Sequence, residues 1–511
     1  MDLKRTIMNG VASGFCSLAL GLPATSAVTA DRFGALYYPG ETAVFTTDQA
    51  GDWQVADWRD ALCAKGTVAD GVVSVSHDGI GRRYGAFKLT IGTNETWFAF
   101  LRTRRVNPCG WVGVGTHSSH GWHRRDYRYL DLMSAAGIGM VRDDVIWAWY
   151  EKERGVYDFD ARLRGLIDEL CKRGIRFHPV LNGRNDLYPN PLDPDAYANF
   201  AAAFVKEFKG KVRSCDIFNE PHNFDFPHVY LPEGEAFKKW QCHPDAPWIP
   251  KHAEATRKAV AAIKAVDPDF SPGVGVEDFW EFFKIMLKGD LVRADDLVSI
   301  HPYDHERHPP EGNWLFKDNG REVREYLLAH GGATRLAITE CGWTTYEPDR
   351  DATHAFVGGY PPSSLVQQAQ YLVRFWILSR QLGIEFACQY DFMDDGPKRN
   401  YTEHNFGLVR QDYTPKPSFS ALATMTRLVG EAAPKGSFST DEARYRLYRF
   451  EKGGMIIFAA WALRDETDVA WPIDGGVQAT EAIDLQGNSI PPPIRDGRLV
   501  LSEAPIYLIG R

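Results

Sequence analysis

Between residues 106 and 432 the apolar positions follow two alternating rhythms. Short β-rich runs recur: "WVGVGTHSS" (111–119), "MVRDDVIW" (140–147), "RFHPVLN" (176–182), "RSCDIFNE" (213–220), "SPGVGVE" (271–277), "LVSIHPY" (297–303), "RLAITECGW" (335–343) and "EFACQYDF" (385–392). Between them lie stretches with apolar residues at helical spacing, among them "ARLRGLIDELCKRG", "YANFAAAFVKEFKG" and "QQAQYLVRFWILSRQLG", several closed by the Gly that helix C-termini favour. Eight strand–helix units in succession predict a closed (β/α)8 TIM barrel over 106–432. An open, doubly wound sheet is the alternative that shares the pattern.

The rhythm changes on both sides. Residues 31–105 carry period-two runs such as "TAVFTT", "GVVSVSH", "GAFKLTIG" and "WFAFLRT" separated by turn residues, and residues 433–511 carry "YRLYRFE", "MIIFAAWAL", "ATEAIDL" and "RLVLSEAPIYLIGR". Each predicts a small β-sandwich, one N-terminal and one C-terminal. Residues 1–30 read as a signal peptide: Lys4 and Arg5 precede a small, apolar stretch that ends in Thr25-Ser26-Ala27 and Val28-Thr29-Ala30. A secreted or periplasmic location follows as the expectation. "FCSLALGL" is too short to cross a bilayer, and no other segment reads as a membrane span.

Composition narrows the partners. A net charge of −9 and a pI near 5.9 argue against nucleic acid. An aromatic content of 13%, with 15 Trp and 21 Tyr, suits a protein that stacks on rings, although large cores also use aromatics. The chain has eight Cys; without Cys16, which lies in the leader, seven remain, far apart and with no CxxC. That is neither a disulfide framework nor a zinc site. Cys215, Cys341 and Cys388 fall in apolar runs and read as buried thiols.

Polar residues collect where the apolar runs end. "CDIFNEPHNF" (215–224) finishes a strand on Asn219 and Glu220, and Pro221 then forbids its continuation. A carboxylate at a buried strand end needs a partner or a task. The other runs end in Thr116 and His117, Arg142 and Asp143, His178 and Asn182, Glu277, His301 and Tyr303, Glu340, and Gln389, Tyr390 and Asp391. In a barrel these positions form one mouth, where catalytic groups sit. Glu220 and Glu340, on strands 4 and 7, can converge across it, and two carboxyl groups about 5–5.5 Å apart suit retaining glycoside hydrolysis.

The Asn219-Glu220-Pro221 triplet on strand 4 and Glu340 on strand 7 resemble clan A glycoside hydrolases. "AAGIGMVRDDVIWAWYEKERGVYDF" (135–159) and "HNFGLVRQDYTPKPSFSAL" (404–422) are similar to family 39 and its relatives. The resemblance implies a retaining hydrolase of β-linked oligo- or polysaccharide. Glu220 would be the acid/base and Glu340 the nucleophile. Asn219 would bind the sugar 2-hydroxyl, Tyr303 would hydrogen-bond Glu340, Arg142 would lower its proton affinity, and His301 would touch a sugar hydroxyl or Glu220. Asn182 and Tyr390 would complete the substrate contacts. Relatives often carry Trp on strand 8; here Tyr390-Asp391-Phe392 stands there, so Trp343 is the candidate floor. Glu220 is expected to be protonated, raised by desolvation and by Glu340.

Three other readings stay open. A metallohydrolase would use His117, His120, His178 and His301, but "HSSH" lacks the His-x-His spacing and leaves both Glu residues unexplained. No metal or cofactor is therefore expected. A non-catalytic glycan-binding barrel would normally lack the two carboxylates, and a transglycosylase would use the same pair. Arg184, Lys398 and Arg399 in mouth loops would suit an acidic sugar or serve as solvated surface charges. Sugar identity and oligomeric state are not encoded in any motif.

Overall fold

The computed structural model describes residues 28–120, 126–277, 280–287, 291–303, 309–348, 360–471 and 479–510. Eight parallel strands form a closed barrel: β1 (Cys109–Gly115), β2 (Ile138–Ile146), β3 (Arg176–Asn182), β4 (Ser214–Ile217), β5 (Ser271–Glu277), β6 (Leu297–Ile300), β7 (Arg335–Cys341) and β8 (Ala387–Gln389). Each pairs with its sequence neighbour, and β8 returns to β1 through Ala387↔Val112 and Gln389↔Val114. The strands are near-continuously buried, which is why their sequences read as unbroken apolar runs.

The helices that follow them are α1 (Tyr129–Ala135), α2 (Ala161–Lys172), α3 (Pro194–Glu207), α4 (Ile249–Val266), α5 (Trp280–Met286), α6 (Arg321–Ala329), α7 (Leu365–Gln381) and α8 (Pro417–Val429). Their starts are written locally. Asp160 caps α2, Asp193 caps α3 with Pro194 in the first turn, and Ser364 with Gln367 forms a reciprocal capping box on α7. Inside the barrel Met140, Leu297, Ala337, Phe386 and Cys388 form a separate apolar plug. The barrel is thus a packed core with polar side chains gathered at its mouth.

Both flanks are β-sandwiches. In the first, a three-stranded sheet (Val28–Ala30, Thr42–Thr47, Val72–Ser76) packs on a five-stranded one around Tyr37, Phe45, Phe87, Phe98 and Phe100. Its opening strand, Val28–Ala30, lies within the stretch read as leader; the remainder of that stretch, 1–27, is outside the described residues. The second sandwich joins a six-stranded and a three-stranded sheet around Leu447, Phe458, Trp471 and Leu508. A turn of the C-terminal sandwich bolts the three units together. Gln486 accepts from Ala86 N–H at 3.1 Å and from the Ser420 hydroxyl of α8, and donates to Pro417 O at 3.0 Å. Asn488 holds both backbone groups of Tyr84. On the other side, Glu311 accepts from Arg374 of α7 at 2.9 and 2.5 Å and from the Trp461 indole at 2.7 Å. Among the described residues no helix is long and apolar enough to cross a membrane.

Glycine makes room in the barrel at one telling place. A Cβ on Gly113 would sit against Cys388 Sγ and 3.1 Å from Met140 Cβ, both in the plug. Gly113→Ala should therefore lower stability by about 1–3 kcal/mol through overpacking, and pairing it with Cys388→Ala should recover most of the loss. Denaturant midpoints of the two variants check this; a Gly113→Ala protein as stable as the wild type would contradict it.

Candidate active site

Arg142, on β2, stands at the centre of the mouth. Its Nε donates to Asp216 Oδ2 at 3.0 Å, Nη1 to Glu340 Oε2 at 2.9 Å, and Nη2 to Asn219 Oδ1 at 2.7 Å; Nη2 also lies 3.4 Å from His301 Nε2. One buried guanidinium thus fixes groups from β4, β6 and β7. Burial opposes its charge, but Asp216 and Glu340 outweigh that and keep it cationic. Asp216 is fully buried on β4; its Oδ1 also accepts from Ser299 at 2.6 Å and contacts His178 Nε2 at 3.0 Å. Burial alone would raise the Asp216 carboxyl, and His178, Arg142 and Ser299 instead hold it well below the usual carboxylate range.

Glu340 points across from β7. Arg142 serves its Oε2, and the Tyr303 hydroxyl donates to Oε1 at 2.8 Å. Burial, then the charge of Glu340, keeps Tyr303 a phenol, so it remains a donor. Glu220 faces Glu340 from the loop after β4: one oxygen of each carboxylate and a ring nitrogen of His301 all lie within 4.8 Å of one another. The chain reaches this point through two non-glycine residues with left-handed backbone, Phe218 (φ 62°) and Glu220 (φ 37°). Phe218 turns inward and stacks on Tyr197 of α3 at 4.1 Å, which redirects the next residues over the mouth.

Glu220 Oε1 lies 2.7 Å from His301 Nδ1, and Oε2 accepts from Asn223 at 3.0 Å. The expectation of a raised carboxyl here is corrected. Burial does push it up, but His301, His222 and Asn223 outweigh burial and set it below its ordinary value. Behind it His222, 1% exposed, sets its Nδ1 against Oε2 of Glu277, which is fully buried.

A second polar wall adjoins Glu340 where β8 meets β1. His117 Nδ1 lies 3.1 Å from Asp395 Oδ1, and Tyr390 donates to Asp395 Oδ2 at 2.9 Å. Burial and the neighbouring Asp395 charge push Asp391 well up, so it stays protonated and bonded to Asp395, which lies below its usual range despite burial. Burial opposes the His117 charge, yet Asp395 raises it to about 9. Glu403 completes the wall, pushed up to about 7 by burial and by the charges of Asp395, Glu340 and Glu220.

The structure brings Glu220, Glu340, Asn219, Arg142, His301 and Tyr303 into one network and places Tyr390 in the adjoining wall. The Trp343 ring packs on Tyr371 and Phe375 of α7 at 5.9 and 5.8 Å. Three residues past Glu340, that side chain has turned toward the helix layer. Asn182 ends β3 opposite Ile146, half-buried, and among the described residues it shares no side-chain hydrogen bond with the network. Of the four histidines of the metal reading, His117 and His120 lie edge to face at 5.4 Å, and each of the four meets a different carboxylate: His117 Asp395, His120 Asp144, His178 Asp216 and His301 Glu220. Arg184 is exposed beside Asp186, and Arg399 beside Glu95 and Glu347. Asp216, His222, Asp395 and Glu403 went unread in the sequence. Only Asp216 left a signal there, as a lone acid inside the run "SCDIF".

No protein-family model and no curated protein matches this sequence. Among solved structures, a family 39 glycoside hydrolase from the gut symbiont Bacteroides cellulosilyticus WH2 is similar over 94% of this chain and 100% of its own, with a TM-score of 0.71 at 21% identity. A conserved exported protein from Bacteroides fragilis covers 80% of this chain and 99% of its own, with a TM-score of 0.53 at 11% identity.

The network makes its own test. Asp216→Ala strips Arg142 of a buried counter-charge and should cost about 3–5 kcal/mol. Asp216→Asn should cost less, because an amide still accepts from Arg142 at one atom. Thermal melts of both variants decide: equal, small losses would mean that Arg142 does not depend on this carboxylate. The fold, a (β/α)8 barrel between two β-sandwiches, is similar to that of the family 39 glycoside hydrolase from Bacteroides cellulosilyticus WH2.

Proposed function

We propose that this chain is a retaining glycoside hydrolase acting on β-linked oligo- or polysaccharide. The observation that carries the reading is the approach of Glu220 and Glu340, with carboxylate oxygens within 4.8 Å. That spacing suits double displacement; single displacement needs carboxyl groups roughly 6.5–9.5 Å apart to seat a water between them.

In the first step a Glu340 oxygen attacks the anomeric carbon as the glycosidic C–O bond breaks, and Glu220 delivers its proton to the departing oxygen. In the second, Glu220 takes a proton from water, whose oxygen displaces Glu340 from the anomeric carbon. Arg142 and Tyr303 hold the attacking carboxylate in line from both of its oxygens. Asn219, fixed through its Oδ1 by Arg142, keeps its amide N–H groups for the sugar 2-hydroxyl. If a second sugar enters in place of water, the same chemistry is transglycosylation.

Three outcomes follow. Proton NMR of the first-formed product should show retained anomeric configuration; inverted product would sink the mechanism. Glu340→Ala should lose nearly all turnover, whereas Glu220→Ala should still form the intermediate from activated aryl glycosides and be rescued by azide as a β-glycosyl azide. Azide rescue of the Glu340 variant, giving the other anomer, would exchange the two roles. The third concerns pH. The first step needs Glu220 protonated, and its neighbours hold that carboxyl below its ordinary value, so the competent fraction falls as pH rises. The kcat/KM maximum should lie on the acid side of neutrality, and a maximum above pH 7 would contradict this.

A further inference from the structure

Two ionisable side chains behind Glu220 have no place in the chemistry above. Glu277 ends β5 and is fully buried; His222 is 1% exposed. They contact each other through Glu277 Oε2 and His222 Nδ1, and the His222 ring rests on Phe282 of α5 at 4.7 Å. A buried carboxylate and imidazole are costly to keep unless their pairing serves something that an apolar pair of similar size would not.

Their connections lead to Glu220 by two routes. His222 lies two residues beyond Glu220 in the same turn, where Asn223 N–H closes on Glu220 O at 2.8 Å and Gln241 donates to His222 O at 3.0 Å. Anchoring His222 therefore anchors the turn whose left-handed Glu220 backbone would otherwise relax. Glu277 also accepts the His301 N–H on its carbonyl oxygen at 2.8 Å, and His301 is the ring against Glu220 Oε1. Thus β5 meets both histidines that flank the carboxylate, His222 through the Glu277 side chain and His301 through the Glu277 main chain. The described charged and titratable groups around Glu220 are His301 on one oxygen, His222 and Glu277 behind, Glu340 opposite and Glu403 at the rim; Asn223 is the neutral donor on the other oxygen.

We propose that Glu277, acting through His222, is the positioning residue of the acid/base: it holds the Glu220 turn and governs when Glu220 releases its proton. The mechanism is electrostatic as well as mechanical. While Glu277 is the counter-charge, His222 can carry an imidazolium close to Glu220, which favours the ionised carboxylate. Burial raises the Glu277 carboxyl, and His222 beside it opposes that rise. Glu277→Gln keeps the volume and an acceptor for the ring but removes the counter-charge. His222 then loses its reason to be cationic, and Glu220 should hold its proton to higher pH.

The assignment of Glu220 as acid/base rests on the proposed hydrolase reading, so the test has two arms. In the first, kcat/KM of Glu277→Gln on a 4-nitrophenyl β-glycoside is followed against pH. The falling alkaline limb should move upward, leaving the variant about three- to tenfold more active on that limb relative to its own maximum. In the second, the Glu220 side-chain carboxyl is titrated by carbon-13 NMR in the full-length wild type and variant, with the resonance assigned by Glu220→Gln. The Glu220 midpoint should rise in Glu277→Gln and equally in His222→Asn. This arm needs no turnover, so it stands even if the chain hydrolyses none of the substrates tried. A variant that only melts earlier, with an unshifted Glu220 titration, would reduce the pair to packing and overturn the proposal. A downward shift would overturn it too.

Discussion

A buried guanidinium lies where the barrel strands converge, and much of the mouth is organised by the need to satisfy it. Arg142 has nowhere to send its charge except to Asp216 below, Glu340 beside it and the Asn219 amide oxygen above. Because a guanidinium is a flat, rigid fork of donors, meeting all of them at once fixes β2, β4 and β7 relative to one another to within hydrogen-bond tolerance. Asp216 in turn needs Ser299 and His178 to occupy its second oxygen, which extends the constraint to β6 and β3. The position of Glu340 is then a by-product of neutralising one buried charge, while Glu220 is held separately by His301 and Asn223.

The architecture was readable because barrel strands buried on both faces leave an unmistakable apolar run, and because Gly, Pro, Ser and Asp punctuate the helices between them. Six of the residues named from strand ends meet in one network for a related reason: the end of a barrel strand is a fixed address. Trp343 shows where that reasoning stops. Three residues past Glu340 the chain has left the strand, and side-chain direction there is set by the α7 residues Tyr371 and Phe375, which no local pattern announces. Asp395 and Glu403 were invisible for the same cause, since they lie in the long segment after β8 and are brought to the wall by tertiary contacts alone. The proton balance of Glu220 was misjudged because desolvation can be guessed from a sequence, whereas the three groups that outweigh it can only be seen folded.

The mouth separates into two electrostatic halves. On the Glu220 side, imidazoles and an amide press against a carboxylate and favour its charge. On the β8 side, acids crowd one another, so that Asp391 keeps its proton and Glu403 retains one until near neutrality. The two halves therefore hold their protons differently: the Glu220 carboxylate is compensated by fixed donors, and the crowded acids opposite are harder to ionise.

The bolts formed by Gln486, Asn488 and Glu311 also bear on how the chain can be divided. They join residues far apart in sequence: Tyr84 and Asn488 are 404 positions apart, and Glu311 and Trp461 are 150. A cut between the barrel and either sandwich would leave buried amides or a buried carboxylate short of partners. The barrel thus relies on its sandwiches for part of the hydrogen bonding of its own buried groups.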